Sequence, residues 1–302
     1  MSWNIEGKQV LLTGASRGIG RATALALAKM GANLSLLVRD RALGEKVIEE
    51  IRATGAKGKI DLFVADLSSM KDIRRVAEEY KSKHDRLDVL LNNAGAINMD
   101  KEKTVDGYER TFATNHLGYF LLTQELLDLL KKSAPSRIVN VASEAHRQVS
   151  GIDFDDPMFE KRSYGGFAAY GASKLANILF TRELARRLED GDTGGSSQPY
   201  RGGEGAKVTA NALHPGVIAS GFGRNNKGVF GFIMRNVAAP FLGSEESGAR
   251  TSVYLASSPD VEGKTGLYWK SSREAKPTRA AQDDEAAKRL WKLSEELIEK
   301  TK

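Results

Sequence analysis

The sequence predicts an α/β fold, a single doubly wound domain in which a parallel sheet of seven strands carries helices on both faces. Three observations predict it. Short apolar runs alternate along the chain with longer amphipathic segments, which is the pattern of a parallel sheet covered on both sides. A glycine-rich loop follows the first apolar run and opens the first helical segment. The 302 residues, 41% hydrophobic and 28% charged, have the composition of a globular protein and suffice for one large core.

The predicted strands are short runs rich in Val, Leu and Ile, and a helical segment separates each strand from the next. They span residues 10–13, 33–38, 60–64, 89–91, 137–141, 208–213 and 267–269. The predicted helices repeat apolar residues at intervals of three and four, and Gly31 ends the first of them. They span residues 21–29, 41–53, 70–83, 107–132, 167–180 and 245–256.

Three segments interrupt this alternation. Residues 143–164 form a connection that is too long for a minimal turn, and we expect it to serve the function. Residues 191–205 are rich in glycine and serine and are predicted to be a flexible surface insertion. Residues 221–243 contain two apolar pieces that are too short to span a bilayer. We interpret them as a lid over an apolar substrate pocket, with a monotopic membrane contact as the alternative.

A last amphipathic helix is predicted at residues 283–302, where the apolar residues share one stripe. We interpret the stripe as the surface by which this helix packs on the rest of the domain. A membrane surface or a dimer surface is the alternative. The stripe consists of Ala287, Leu290, Trp291, Leu297 and Ile298.

Composition excludes several kinds of site. The chain has no cysteine, which removes disulfides, thiolate nucleophiles and cysteine-ligated metals, and its four histidines are scattered, so no metal site is expected. The net charge of +6 is dispersed rather than arranged in a stripe, so no nucleic-acid partner is expected. The N-terminal residues lack the apolar core of a signal peptide, and no run of 18 apolar residues occurs. We therefore expect a cytoplasmic protein.

The glycine-rich loop has the sequence context of a dinucleotide site. It follows a strand and opens a helix, so its backbone N–H groups and the positive end of the helix dipole would face a pyrophosphate. The glycines would let the backbone approach the phosphates closely. The residues expected to bind the cofactor here are Gly14, Ser16, Arg17, Gly18, Ile19 and Gly20.

The residues after the second strand address the choice between NADP and NAD. Asp40 lies 20 residues after Gly20, where a carboxylate could bind a ribose 2′-hydroxyl and select NAD. However, Arg39 precedes it directly and Arg17 lies in the glycine loop, and two arginines favour a 2′-phosphate. Asp40 could instead cap the helix that begins at Arg41. We therefore favour NADP, with NAD as the alternative.

Tyr170 and Lys174 lie four residues apart and share one face if their segment is helical. A phenol beside an ammonium suits proton transfer, because a nearby positive charge lowers the tyrosine pKa. Chance alone supplies about 0.6 such spacings in a chain of this composition, so the pair needs further motifs around it.

Those further motifs are present in order, and with them the chain resembles the short-chain dehydrogenase/reductase family, whose fold is of the Rossmann type. They are Thr13-Gly-Ala-Ser-Arg-Gly-Ile-Gly20, Asp66-Leu67, Asn92-Asn-Ala-Gly95, Asn115, Ser143, Tyr170-x-x-x-Lys174 and Pro215-Gly216. The finer wording, including Phe112-Ala-Thr-Asn-His-Leu-Gly118 and Ser173-Lys-Leu-Ala-Asn177, resembles the retinol-dehydrogenase-like branch. We expect no membrane-anchoring N-terminal helix of the kind found in many animal members, and the insertion at 191–205 is not part of the family pattern.

The resemblance implies a role for each of these residues. Tyr170 would be the general acid and base, and Lys174 would hold the nicotinamide ribose. Ser143 would bind the substrate oxygen, and Asn115 would hold a water in a proton relay. Asp66 would contact the adenine, and Asn92 and Gly95 would line the floor under the cofactor. The other residues carried over as cofactor contacts are Leu67, Ala94, Pro215, Gly216 and Val217.

The predicted activity is that of an NADP-dependent oxidoreductase acting on the CH–OH group of donors. It would interconvert a lipophilic aldehyde or ketone and its alcohol, with reduction as the physiological direction. Reduction of a C=C bond is disfavoured, because the related protochlorophyllide reductase uses a cysteine. A non-catalytic NADP-binding sensor or scaffold is the alternative from another class. The resemblance also suggests a homo-oligomer, and a peripheral membrane contact stays open.

Overall fold

The apolar runs form one sheet in the computed structural model, which describes residues 3–189, 207–216 and 243–302. Each strand of the predicted seven lies within one residue of its expected bounds. The strands are β1 (Gln9–Thr13), β2 (Asn33–Val38), β3 (Ile60–Val64), β4 (Val89–Asn92), β5 (Ser136–Val141), β6 (Val208–His214), β7 (Tyr268–Lys270) and β8 (Arg273–Glu274).

The strand order places a crevice at the carboxyl edge of the sheet. The order is β3-β2-β1-β4-β5-β6-β7-β8, and strands β1 to β7 pair in parallel. The chain winds outward in opposite directions from β1 and β4, and ligands bind where the order reverses in this way. The doubly wound parallel sheet is therefore confirmed, and the crevice lies beyond the ends of β1 and β4.

The strand count of seven needs a small correction, because β8 pairs with β7 in the antiparallel direction. It has two residues, both exposed, so it carries no apolar pattern that would predict a strand. The turn between the two strands uses Ser271 and Ser272 with φ of 51° and 57°.

The helices of the described residues cover both faces of the sheet. They are α1 (Gly18–Lys29), α2 (Arg41–Ala53), α3 (Met70–Lys83), α4 (Arg110–Phe112), α5 (Gly118–Lys132), α6 (Gly166–Glu189), α7 (Glu245–Ser257) and α8 (Asp284–Glu299). One buried cluster joins the sheet to α1, α2 and α7, and a second joins the opposite face to α3, α5, α6 and α8. Both apolar faces of the parallel sheet are thus buried, as its sequence requires.

The helix predicted at 107–132 is interrupted and begins later. Gly107 has a φ of +83°, which a right-handed helix does not allow, and the carboxylate of Glu109 accepts from the N–H groups of Thr111 and Phe112. Helix α4 therefore begins at Arg110. Between α4 and α5 lies a π-helical turn, Ala113–Leu117, which the apolar periodicity of the segment does not reveal.

The C-terminal helix α8 packs on α5 and α6 through the stripe that the sequence indicates. The ring of Trp291 lies 5.0 Å from that of Phe120 on α5 and 5.9 Å from that of Phe180 on α6. Asp284 at its start pairs with Arg182 at 2.8 Å. The apolar stripe is therefore used for packing within the chain.

Some expectations fall outside the described residues. These are the insertion at 191–205, the lid at 221–243 except its last residue, and the cofactor contact Val217. Within the described parts of the chain, no helix is both long enough and apolar enough to cross a bilayer.

Candidate active site

The glycine loop after β1 packs closely against the loop that follows β4. Gly14 has a φ of +69°, and a side chain there would bring its Cβ within 2.7 Å of the Cα of Ala94. A Cβ on Gly20 would overlap the carbonyl oxygen of Gly14 and lie 2.6 Å from the side chain of Asn93. Both glycines are therefore required by contacts within the protein. Because these two positions carry no side chain, the backbone is open to approach at the start of α1.

Hydrogen bonds from Thr13 join these two loops. The Oγ1 of Thr13 accepts from the backbone N–H groups of Asn93 and Ala94, at 2.9 and 3.0 Å. In return, the Asn93 side chain donates to the Thr13 carbonyl oxygen at 2.9 Å. Sequence reasoning named Thr13 and Asn93 only as motif letters. Their position at the ends of two strands that flank a switch point is the signal that could have identified them.

The start of α1 and the end of β2 present groups suited to an anionic cofactor. Arg17 precedes α1, and no side chain caps the N–H groups of that helix start. Arg17 and Arg39 are both exposed, and neither forms an ion pair within the described residues. The carboxylate of Asp40 accepts from the N–H of Leu43, so it caps α2, as the alternative interpretation of this residue proposed. These residues fit a phosphorylated dinucleotide.

The residues expected under the cofactor lie in different environments. Asp66 is half-buried, and its carboxylate accepts from the N–H of Ser68 at 2.9 Å. Leu67 is buried beside the start of α5, where its carbonyl oxygen faces Gly118. Asn92 is fully buried, and its amide donates to Thr123 and Asn140 at 3.1 and 2.9 Å.

The Asn92 side chain therefore does not reach the crevice. It belongs to a buried chain of polar groups that joins the sheet to its helices, because Asn140 in turn donates to Thr181 of α6 at 2.9 Å. The resemblance implies that this side chain lies on the floor under the cofactor, whereas the structure places it inside the domain. The residue type misled the prediction, since an asparagine at the end of a strand can point to either face.

Asn115 lies in the π-helical turn, with its carboxamide fully engaged. Its Oδ1 accepts from the N–H of Ala96 at 2.9 Å, and its Nδ2 donates to the carbonyl oxygen of Ala96 at 2.8 Å and to Ser173 at 3.0 Å. π-helical turns are rare and occur frequently at functional sites. The turn thus connects the loop after β4 to helix α6.

Tyr170 and Lys174 share one face of α6, as their spacing predicted. The Lys174 Nζ lies 5.6 Å from the centroid of the Tyr170 ring and 5.7 Å from that of Tyr119. It donates to the carbonyl oxygen of Val141 at 2.9 Å. A Cβ on Gly95 would lie 3.3 Å from both Lys174 Nζ and Asn115 Oδ1, so a side chain there would crowd both groups. The structure therefore brings these groups together.

Burial changes the proton affinities of both side chains. It raises the pKa of Tyr170 above the ordinary value, and a hydrogen bond with Ser143 offsets part of that rise. It lowers the pKa of Lys174 to about 7. Lys174 is not among the causes that set the pKa of Tyr170 in the protein alone, and its lowering of that pKa beside a bound nicotinamide stays a prediction. The ammonium that would stabilise a phenolate is itself disfavoured by the same burial.

Ser143 is placed by two histidines that sequence reasoning considered only as metal ligands. His146 Nδ1 contacts the carbonyl oxygen of Ser143 at 2.6 Å, and its Nε2 accepts from the N–H of Thr278 at 3.3 Å, so Nδ1 carries the proton. His214 accepts from the N–H of Glu144 at 3.3 Å. His146 lies three residues after Ser143, and His214 lies directly before Pro215-Gly216. These positions could have indicated a structural role.

The carboxyl ends of β1, β4, β5 and β6 thus converge on one crevice. Pro215 and Gly216 follow β6, and Gly216 has a φ of +93°. In the described part of the chain no group of three or more His, Cys, Asp or Glu residues is arranged to hold a metal ion. The crevice combines a basic glycine loop with the half-buried Tyr170 and Ser143 and the buried Lys174 and Asn115, a set that can bind an anionic cofactor and transfer a proton.

Comparisons with known proteins place this arrangement in context. A family model described as short chain dehydrogenase matches residues 8–154. Human retinol dehydrogenase 14 is 41% identical over 313 residues, which covers 97% of this chain and 87% of that protein. An uncharacterized protein from Mycobacterium paratuberculosis has a TM-score of 0.75 at 31% identity, over 99% of this chain and 96% of that one. The Pseudomonas aeruginosa RhlG/NADP active-site complex has a TM-score of 0.65 at 27% identity, over 88% and 95%.

Proposed function

This chain belongs to the short-chain dehydrogenase family, in its retinol-dehydrogenase-like branch, and we propose that it is an NADP-dependent enzyme that interconverts a lipophilic carbonyl compound and its alcohol. One observation carries the proposal. Tyr170, Lys174, Ser143 and Asn115 come from three separate parts of the chain, and the fold gathers them at one end of the sheet. A binding protein without turnover would not require this combination of proton donor, cation and hydroxyl.

The residues that would hold the cofactor are those of the glycine loop, with Arg17 and Arg39 at its adenosine end and Lys174 and Gly95 at its nicotinamide end. The uncapped start of α1 would bind the pyrophosphate. A bound nicotinamide dinucleotide supplies or accepts the hydride. All other steps belong to side chains of this chain.

Tyr170 donates the proton in the direction of reduction. Burial keeps its Oη protonated at neutral pH, which is the form that can donate to a carbonyl oxygen. The Ser143 hydroxyl, which is hydrogen-bonded to Tyr170, stabilises the negative charge that develops on that oxygen. Lys174, with a pKa of about 7, can return a proton towards the tyrosine. We propose reduction as the physiological direction, in which the protonated tyrosine acts as the acid.

Replacement of Tyr170 by Phe tests catalysis against the sensor alternative. An enzyme should lose at least about a hundredfold in turnover, since general acid catalysis contributes on the order of 10²–10⁴. Binding of NADPH, measured by quenching of its fluorescence, should change little. Tyr254→Phe, which removes a phenol on the surface helix α7, is the matched control. Normal turnover in the Tyr170 variant would refute the proposed mechanism.

The preference for NADP is supported by the two exposed arginines and by the engagement of Asp40 at the start of α2. We expect Arg39→Asp to raise the KM for NADPH far more than the KM for NADH. The control is Arg41→Asp, which makes the same substitution two residues further along the chain, at the exposed start of α2. Equal use of both cofactors by the unchanged enzyme would contradict the proposal.

The substrate class is the least constrained part of the proposal. The relatives are named retinol dehydrogenases, which supports a lipophilic alcohol or aldehyde. The segment at 143–164 would form one wall of the pocket, and the apolar residues at 221–243 would close it. A spectrophotometric screen of aldehydes, ketones and sterols against NADPH oxidation tests this class. Turnover confined to small polar carbonyl compounds would contradict it.

Location and assembly complete the proposal. A cytoplasmic enzyme is favoured, with a homo-oligomer and a peripheral membrane contact as open alternatives. Because the apolar stripe of α8 is buried, residues 221–243 are the remaining candidate for membrane contact. Co-sedimentation with liposomes, and its loss when charged residues replace the apolar ones in 229–234, would support that contact.

A further inference from the structure

A buried hydrogen bond joins the C-terminal helix to the turn that carries Asn115. His116 Nε2 lies 2.8 Å from the Oγ of Ser294 on α8, and both side chains are fully buried. The single hydroxyl hydrogen of Ser294 is directed to the carbonyl oxygen of Leu290 at 2.7 Å. When Ser294 keeps that bond it accepts, and the imidazole donates from Nε2, with the Asn177 side chain as the other polar neighbour of the ring. The two residues are 178 positions apart in the chain.

Aromatic contacts surround this hydrogen bond and restrict the ring of His116. Its centroid lies 5.0 Å from that of Phe112, 6.3 Å from that of Phe120 and 6.0 Å from that of Phe180. Phe120 and Phe180 in turn contact Trp291 of α8. The imidazole is therefore held in one orientation by rings from α4, α5 and α6, and the hydrogen bond to α8 has a fixed geometry.

The π-helical turn is thus held from two sides by consecutive residues. The Asn115 side chain binds the backbone of Ala96 and the hydroxyl of Ser173, which donates to the carbonyl oxygen of Tyr170 at 2.8 Å. The His116 side chain binds Ser294 on the other side. π-helical turns are rare and occur mostly as single turns within α-helices at functional sites, so the contacts on either side of this one are candidates for holding it.

We propose that His116 and Ser294 are positioning residues, which hold the π-helical turn and through it set the Asn115 carboxamide against Ala96 and Ser173. The C-terminal helix is then part of the support of the active site rather than only a cover over α5 and α6. The catalytic consequence rests on the proposed function, whereas the structural consequence does not.

Four variants separate this role from general stability. Ser294→Ala removes the acceptor and leaves the methylene carbon in place. His116→Gln can keep a nitrogen donor near the position of Nε2, whereas His116→Asn is too short to reach Ser294. Lys292→Ala, whose side chain on the same helix is 79% exposed, is the control.

Hydrogen exchange followed by mass spectrometry gives a readout that needs neither substrate nor cofactor. In Ser294→Ala and His116→Asn, amides of residues 113–120 should exchange on the order of tenfold faster, because a buried hydrogen bond is lost. In His116→Gln and Lys292→Ala they should exchange as in the unchanged protein. Exchange in β5, at residues 136–141, should remain within error in all four, whereas the Tm should fall by about 2–4 °C in Ser294→Ala and His116→Asn because a buried donor loses its acceptor.

Turnover should be reduced in the same variants in which the amides exchange faster. We expect kcat to fall about tenfold in Ser294→Ala and His116→Asn, with the KM for NADPH changed less than about twofold, and to recover in His116→Gln. Unchanged exchange at 113–120 in Ser294→Ala would overturn the proposal, as would equal acceleration in β5. If Ser294→Ala does not fold, the Gln and Asn variants of His116 decide. An unchanged protein that turns over no carbonyl compound refutes the proposed function alone.

Discussion

Replacing Lys174 by Met should make the protein more stable in the absence of cofactor, although it removes a group needed for the proposed chemistry. The ammonium is 3% exposed, and burial lowers its pKa from 10.5 to about 7. A difference of this size corresponds to about 5 kcal/mol of unfavourable free energy at neutral pH. The variant also loses the hydrogen bond to the carbonyl oxygen of Val141, which still accepts from Asn177 at 3.3 Å. This loss lowers the free energy of unfolding by about 1 kcal/mol.

The expected net gain in the free energy of unfolding is therefore about 3 to 4 kcal/mol at pH 7. The gain should depend on pH with a definite sign. Because the pKa of Lys174 is lower in the folded protein, the unfolded chain binds more protons between pH 7 and 10.5. The free energy of unfolding of the unchanged protein should therefore rise relative to that of the variant as the pH rises. The rise should be about 2 to 3 kcal/mol between pH 7 and 9.

Urea unfolding followed by tryptophan fluorescence at pH 7, 8 and 9 measures this difference directly. Lys292→Met, a substitution of a lysine that is 79% exposed, is the matched control and should show no pH-dependent difference. A stability difference between the Lys174 variant and the unchanged protein that stays constant from pH 7 to 9 would refute the reasoning. The prediction expresses a general conflict, since a residue placed for chemistry can be costly to the fold.

Other predictions follow from the same structure. Gly20→Ala should cost about 3 kcal/mol or more, because its Cβ would overlap the carbonyl oxygen of Gly14, while Gly151→Ala, with open space around it, should leave the Tm nearly unchanged. Thr13→Val should lower the free energy of unfolding by about 2 to 4 kcal/mol, since two backbone N–H groups lose their acceptor. Burial lowers the pKa of His214 to about 4, so stability should fall by about 3 kcal/mol from pH 6.5 to 4, and His214→Gln should remove that part of the pH dependence in urea titrations.

Much of the fold follows from local patterns. The seven predicted strands match β1 to β7 within one residue at either end, because buried parallel strands are uninterrupted apolar runs bounded by polar turns. Helices α2 and α3 match their predicted bounds, and their caps Asp40 and Ser69 are residues whose short polar side chains prefer that position. The short strand β8 and the start of α4 were missed, because neither has a periodic apolar pattern.

The candidate site was predicted less evenly. Motif order brought out Tyr170, Lys174, Ser143 and Asn115, which the fold gathers because they follow neighbouring strands or lie on the helix beside them. Asn92 was misplaced, because the sequence does not state which face of a strand end its side chain occupies. The effect of burial on the pKa of Tyr170 and of Lys174 could not be predicted, since it depends on residues that are distant in the chain.

By itself, the sequence determined the doubly wound sheet, the glycine loop, the arginines at 17 and 39, and the identity of the groups that would carry out proton transfer. These features depend on the order and spacing of nearby residues, which a linear pattern records. Only the tertiary structure decided that burial raises the pKa of Tyr170, that a π-helical turn carries Asn115, and that Ser294 of the last helix contacts His116. Those facts depend on burial and on contacts between residues far apart in the chain, and no local spacing encodes them.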